Sequence, residues 1–149
     1  NRLAWFTGRL DREYGDEPLY VYLRRDPDKV VASYAERYDL GIFRAYRRQI
    51  LWKVPHDSDP ETLARDFHET MSANIEFFLH DKSKVMEFQL EDAHRDFPTF
   101  WQRIGAEGDL DAARAVFETS HNSTADTVHR WRPKSKRARA KPKRRWLSG

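Results

Sequence analysis

Residues 20–34 read YVYLRRDPDKVVASY and contain the strand, corner and helix from which the rest of the fold can be built. The segment Leu19–Leu23 is apolar over the length of a strand and rich in tyrosine and valine, which predicts a β-strand. Asp26 is a good helix N-cap, and Pro27 suits the first helical position, where its missing N–H has no partner to lose. The sequence therefore predicts a strand that turns at an Arg-Asp-Pro corner into a helix.

Arg25 and Ser33 are the candidate binding residues of this stretch. Arg25 ends the strand, and open parallel sheets bind ligands at the carboxyl ends of their strands. Ser33 lies two turns into the helix, where side chains lean back toward the helix N-terminus. A guanidinium, a hydroxyl and the positive end of a helix dipole together suit a phosphate. We therefore predict an anion site at this corner.

The same stretch resembles the 3′-phosphate-binding segment of sulfotransferases that use PAPS (3′-phosphoadenosine 5′-phosphosulfate). In that family an Arg closes a strand, an Asp-Pro or similar pair follows, and a Ser comes eight residues after the Arg. Arg25 and Ser33 match these two positions. The resemblance implies that both side chains bind the 3′-phosphate of PAPS as co-substrate. It also implies a sulfotransferase that moves a sulfuryl group to a hydroxyl or amine acceptor, which the sequence does not identify.

The rest of the chain predicts an alternating α/β fold. Residues 59–61 have the pattern of a helix start, with an N-cap, a proline at the first helical position and an acidic residue in the first turn. Apolar residues then recur every three or four positions until near His80, which predicts a long helix. Lys84–Leu90 predicts a second strand, and helices over roughly 28–38 and 42–53 lie between the two strands. We therefore expect parallel strands joined by a right-handed crossover. The resemblance implies that they form part of a P-loop-like sheet flanked by helices.

The two ends of this region also predict helices. Residues 1–10 carry an apolar face, although Gly8 weakens a helix there. Residues 100–113, FWQRIGAEGDLDAA, resemble the helix-turn-helix that follows an acidic pair in bacterial sulfotransferases.

A glycine-rich strand-loop-helix unit is missing from the sequence. The six glycines are scattered, and no Gly-Lys-Ser/Thr triplet occurs. A PAPS-dependent enzyme needs such a loop, because its backbone amides bind the 5′ phosphosulfate. The chain also begins with Asn1. We therefore expect the C-terminal part of a longer enzyme, inactive alone, whose other part supplies the loop and the catalytic base. A degenerate homologue without activity is the alternative.

Charge divides the sequence into two parts. Residues 1–126 contain 17 Lys and Arg against 24 Asp and Glu, a net charge of −7, and we assign them to the sulfotransferase-like α/β domain. Residues 127–149 contain ten Lys and Arg and no acid, a net charge of +10. This tail is predicted to be disordered when free. With Trp131 and Trp146 it could contact nucleic acid, another polyanion or an anionic membrane surface. A non-enzymatic binding module acting through this tail is the alternative function.

Other chemistry has little support in the sequence. There is no cysteine, and the six histidines lack the spacing of metal ligands, so no metal is predicted. No catalytic base can be named. A relative of P-loop kinases that shares the Arg-Asp-Pro corner is a further rival. Because the sequence has neither a signal peptide nor a transmembrane run, we expect a cytoplasmic location.

Overall fold

The computed structural model of the chain describes residues 3–55 and 57–119. A 3-10 turn at Leu3–Trp5 precedes the first helix. The main elements in chain order are α1 (Thr7–Tyr14), β1 (Tyr20–Arg24), α2 (Pro27–Glu36), α3 (Gly41–Ala45), a π-helical segment (Tyr46–Ile50), α4 (Pro60–Leu79), β2 (Val85–Gln89), α5 (Ala93–Arg103) and α6 (Leu110–Ala115).

The two strands form a parallel sheet. Tyr20 pairs with Val85 at one end and Arg24 with Gln89 at the other. The chain between them passes through α2, α3 and α4 before it returns, as a parallel connection requires. The predicted α/β class and the parallel strands are confirmed, and the handedness of the crossover stays a prediction.

The main core lies where α2, α3 and α4 meet. Phe67 is fully buried at its centre, and its ring centroid lies 4.9 Å from the centroids of both Tyr34 and Tyr46. Such edge-to-face contacts add stabilisation to the burial of the rings themselves. The buried residues of this cluster are Ala4, Val31, Phe43, Tyr46, Ala64, Phe67 and Met71.

A second, smaller cluster holds α5 against one face of β2. Met86 and Phe88 alternate with more exposed residues along β2, and both are buried with Ala93 of α5. The Asp96 carboxylate on α5 also accepts a hydrogen bond of 2.9 Å from the backbone N–H of Gln89. This bond fixes the carboxyl end of β2, which is the end where a ligand site is expected.

Both predicted Asp-Pro helix starts are confirmed. The Asp26 side chain accepts hydrogen bonds from the N–H groups of Asp28 (2.9 Å) and Lys29 (3.1 Å). The Asp59 side chain accepts one of 2.8 Å from the N–H of Thr62. A proline follows each cap at the first helical position.

Two of the predicted helices differ from the structure. The helix expected over residues 1–10 is displaced, because α1 begins at Thr7 and ends before Gly15, whose positive φ of 54° stops it. The helix expected over residues 42–53 changes to π-helical hydrogen bonding at Tyr46 and ends at Ile50. Its last predicted residue, Lys53, has a φ of 52°, outside the helical range.

None of the helices described over residues 3–55 and 57–119 has the length and apolarity needed to cross a bilayer. The basic tail predicted over residues 127–149 lies outside the described residues, as does the end of the 1–126 domain.

Candidate functional site

A groove with a volume of about 420 Å³ opens at the carboxyl ends of the two strands. Its floor is formed by residues at the ends of β1 and β2, and α2 and α4 supply its walls. A volume of this size falls in the range of small-molecule sites, which is roughly 300–1,000 Å³. The position agrees with the general rule that open parallel sheets bind ligands beyond their strand ends.

The groove contains both residues that the sequence singled out. Arg25 follows the last residue of β1, and its side chain is 46% exposed. Ser33 lies two turns into α2 and is partly buried. Both residues line the same groove. The structure therefore brings together the guanidinium and the hydroxyl that were predicted to form one anion site, and their binding to PAPS stays a prediction.

The start of α2 differs from the expectation in one respect. The Asp26 side chain accepts hydrogen bonds from the backbone N–H groups of Asp28 and Lys29, and Pro27 has no backbone N–H. The N–H of Asp26 itself donates to the Glu91 carboxylate at 3.1 Å. Every backbone N–H of residues 26–29 is therefore already used. An anion in this groove would therefore be bound by side chains and not by hydrogen bonds from these N–H groups, and the predicted contribution of the helix dipole stays a prediction.

Glu91 ties this corner to the end of β2. Its Oε2 accepts hydrogen bonds from the Asp26 N–H and from the Gln89 side chain, the latter at 2.6 Å. Its Oε1 lies 3.8 Å from Arg25 Nε and 3.8 Å from Lys29 Nζ. Burial acts to raise the pKa of Glu91, but these hydrogen bonds and the Lys29 charge outweigh it and hold the pKa below its ordinary value. The carboxylate is therefore ionised at neutral pH.

Arg24 is a second arginine on the floor of the groove. It forms a 3.2 Å ion pair with Glu87, and its guanidinium lies 5.4 Å from the centroid of the Tyr22 ring. Since the side chain is already held by Glu87 and Tyr22, it is less suited than Arg25 to bind a ligand directly.

The wall formed by α4 was not predicted to be part of the site. His68 and Ser72, one helical turn apart, line the groove beside the apolar Met71 and Ile75. Burial is the main cause that lowers the pKa of His68, so the imidazole is neutral near pH 7 and can both donate and accept hydrogen bonds. The spacing of four between His68 and Ser72, next to an apolar stripe, is the sequence signal that could have indicated them.

Arg37 also lines the groove and was not predicted to be part of the site. It lies four residues after Ser33, on the same face of the helical turn that ends α2. Arg37, Arg24 and Arg25 are therefore three arginines among the described residues that line the groove.

Metal chemistry finds no support in the ranges 3–55 and 57–119, where no group of three or more acidic or histidine side chains could hold an ion. No residue of the groove is assigned as a catalytic base.

Comparison with known proteins adds no relative. The chain matches no protein-family model, no curated protein and no solved structure.

Proposed function

We propose that this chain supplies the 3′-phosphate half of the PAPS site of a sulfotransferase. In this proposal Arg25 and Ser33 bind the 3′-phosphate, and the two described strands belong to a larger P-loop-like sheet. The observation that carries the proposal is that Arg25 and Ser33 line one groove at the carboxyl ends of two parallel strands. A cytoplasmic location is part of the same proposal.

The chemistry of the groove suits a phosphate monoester attached to a nucleoside. A guanidinium donates two parallel hydrogen bonds to a phosphate, and a hydroxyl adds a neutral donor. The remaining wall is partly apolar through Val30, Met71 and Ile75 and partly polar through His68 and Ser72. A mixed wall of this kind is typical of sites that hold an organic ligand in one orientation.

The proposed reaction is the in-line transfer of a sulfuryl group. The bond between sulfur and the bridging phosphate oxygen of PAPS breaks, and a new bond forms between sulfur and the acceptor oxygen or nitrogen. The acceptor gives its proton to a base outside the assigned residues, and PAP (3′-phosphoadenosine 5′-phosphate) leaves. In this scheme Arg25 and Ser33 position the nucleotide, which contributes to the rate by orientation. No residue of this chain is assigned to the phosphosulfate.

Arg25→Ala tests this proposal in the full chain. Loss of a charge-assisted hydrogen bond should weaken PAP binding by about 1.5–3 kcal/mol, measured by isothermal titration calorimetry. Arg24→Ala is the matched control, since it removes the neighbouring guanidinium, which pairs with Glu87, and should change PAP affinity much less. Unchanged PAP affinity in Arg25→Ala, or an equal loss in both variants, contradicts the assignment.

Two alternative functions predict different binding behaviour, which competition between ATP and PAP and the salt dependence of binding measure. A relative of P-loop kinases should prefer ATP to PAP, whereas a 3′-phosphate site should prefer PAP. A binding module that acts through residues 127–149, whose net charge is +10, should bind polyanions with a steep salt dependence that Arg25→Ala leaves unchanged.

A further inference from the structure

Glu91 is a charged residue of this corner to which the proposed function gives no role. It lies in the 3-10 turn Leu90–Asp92, between β2 and α5. Its carboxylate reaches the corner between β1 and α2, which is 65 residues earlier in the chain. A side chain that joins the carboxyl ends of both strands is well placed to fix the geometry of whatever binds there.

The carboxylate is itself held in place through one of its oxygens. Oε2 accepts the backbone N–H of Asp26 at 3.1 Å and the side-chain amide of Gln89 at 2.6 Å. The first bond anchors it to the residue that follows Arg25, and the second to the last residue of β2. Because Gln89 belongs to β2 and Asp26 caps α2, the carboxylate is held between the end of a strand and the start of a helix.

The other oxygen faces two cations. Oε1 lies 3.8 Å from Arg25 Nε and 3.8 Å from Lys29 Nζ, distances that indicate charge attraction rather than hydrogen bonds. The guanidinium nitrogen in this contact is Nε, so the two terminal nitrogens of Arg25 stay available for a ligand. Arg25, Lys29 and Glu91 together carry a charge of +1, but Asp26 and Asp28 add two carboxylates to the same corner. Anion binding here therefore depends on the direction of the Arg25 guanidinium and not on net charge.

Glu91 is not in the position that a ligand would take. Its neighbours Gln89 and Leu90 are among the described residues that line the groove, as is Arg25, and Glu91 is not among them. A ligand in the groove would therefore meet Arg25 without displacing the carboxylate.

We propose that Glu91 is the positioning residue for Arg25, holding its Nε edge so that the terminal nitrogens face a ribose 3′-phosphate. This inference rests on the proposed function. It predicts a specific effect on selectivity. Neutralising Glu91 removes a negative charge from the corner, which strengthens the binding of every anion. The same change releases the Arg25 guanidinium from the orientation that recognises the 3′-phosphate. The preference for PAP over 5′-AMP, which lacks that phosphate, should therefore fall.

The test compares Glu91→Gln with wild type in the full chain by calorimetry with PAP and with 5′-AMP. The dissociation constant for 5′-AMP divided by that for PAP should fall about fivefold. This is the upper end of what a partly exposed ion pair contributes. Asp92→Asn is the matched control. It removes one negative charge at the next residue, where the carboxylate pairs with Arg95 at 3.1 Å and touches neither Arg25 nor Lys29. Its ratio should equal that of wild type.

An unchanged or increased ratio in Glu91→Gln overturns the positioning role, as does an equal fall in Asp92→Asn.

A wild-type chain with no preference for PAP instead contradicts the proposed function. The positioning role is then decided by NMR of the Arg25 Nε–H group, identified by its loss in Arg25→Ala. Because the negative charge of Glu91 beside Nε slows hydroxide-catalysed exchange, this N–H should exchange with water faster in Glu91→Gln than in wild type. Equal rates would overturn the inference.

Discussion

Two helices of this protein begin with the same local design, but only one of them begins at the groove. α2 starts with residues 26–28, Asp-Pro-Asp, and α4 with residues 59–61, Asp-Pro-Glu. In both cases the first aspartate caps the helix and the proline takes the first helical position. The design therefore determines where a helix begins, but it does not by itself make a binding site.

The difference lies in what surrounds each cap. Asp59 forms its hydrogen bonds within its own turn, to the N–H of Thr62 at 2.8 Å and to its hydroxyl at 2.7 Å. Asp26 does the same within α2, but it also follows Arg25 at the end of a strand and donates its N–H to Glu91. The strand end and the distant carboxylate turn an ordinary helix start into a candidate site.

Phe67→Ala should have the largest effect, because both helices share the core around this ring. Phe67 is fully buried between Tyr34 of α2 and Tyr46. Truncation of a buried phenylalanine should lower the free energy of unfolding by about 3–5 kcal/mol, measured by urea denaturation. Phe77→Ala on the same helix is the control, since Phe77 is 78% exposed and should cost little. Similar losses in the two variants would contradict the assignment of this core.

Asp26→Ala and Asp59→Ala compare the two caps directly. Each removes a side chain that accepts backbone N–H groups at a helix start, so each should lower the melting temperature by about 3 °C. Only Asp26→Ala should also change PAP affinity, because only α2 begins beside Arg25, where the substitution removes a negative charge and frees the N–H groups of Asp28 and Lys29. Circular dichroism and calorimetry measure the two effects. Loss of PAP affinity in Asp59→Ala would show that the two corners are not functionally different.

The smallest expected effect is the pH dependence of the Asp59 cap. The hydroxyl and N–H of Thr62 hold the pKa of Asp59 below its ordinary value. A lowered pKa means that the cap stabilises the fold fully above the unfolded value, near pH 4, and less as the pH falls through the folded value. The difference in melting temperature between wild type and Asp59→Asn should therefore shrink below pH 4. A difference that stays constant down to pH 2.5 would contradict this linkage.

Much of the fold could be predicted because its signals are local. The start of α2 at Pro27 and of α4 at Pro60 follow from a capping side chain that bonds two or three residues ahead. The end of α4 at Leu79 lies one residue before the predicted end. The π-helical segment Tyr46–Ile50 gave no such signal, because its hydrogen-bond pattern is not encoded by any cap or glycine in the sequence.

The candidate site could be predicted only in part. Arg25 and Ser33 lie within one short stretch, so a strand, a corner and a helix were enough to place them near each other. His68 and Ser72 come from α4, and which helix covers a groove depends on how the core packs. Glu91 follows β2 in the sequence, but nothing local indicated that it would contact Arg25 and Lys29.

The sequence by itself determined the strand, the Arg-Asp-Pro corner and the helix in residues 20–34, because cap, proline and apolar spacing act within a few residues of each other. Only the tertiary structure decided that the amides of this corner are already used, since the acceptor of the Asp26 N–H is Glu91, 65 residues away. It also decided that side chains from α2, α4 and both strand ends line one groove. Contacts over such separations form only when the two strands pair, and the sequence pattern predicts that pairing without indicating which side chains it brings into contact.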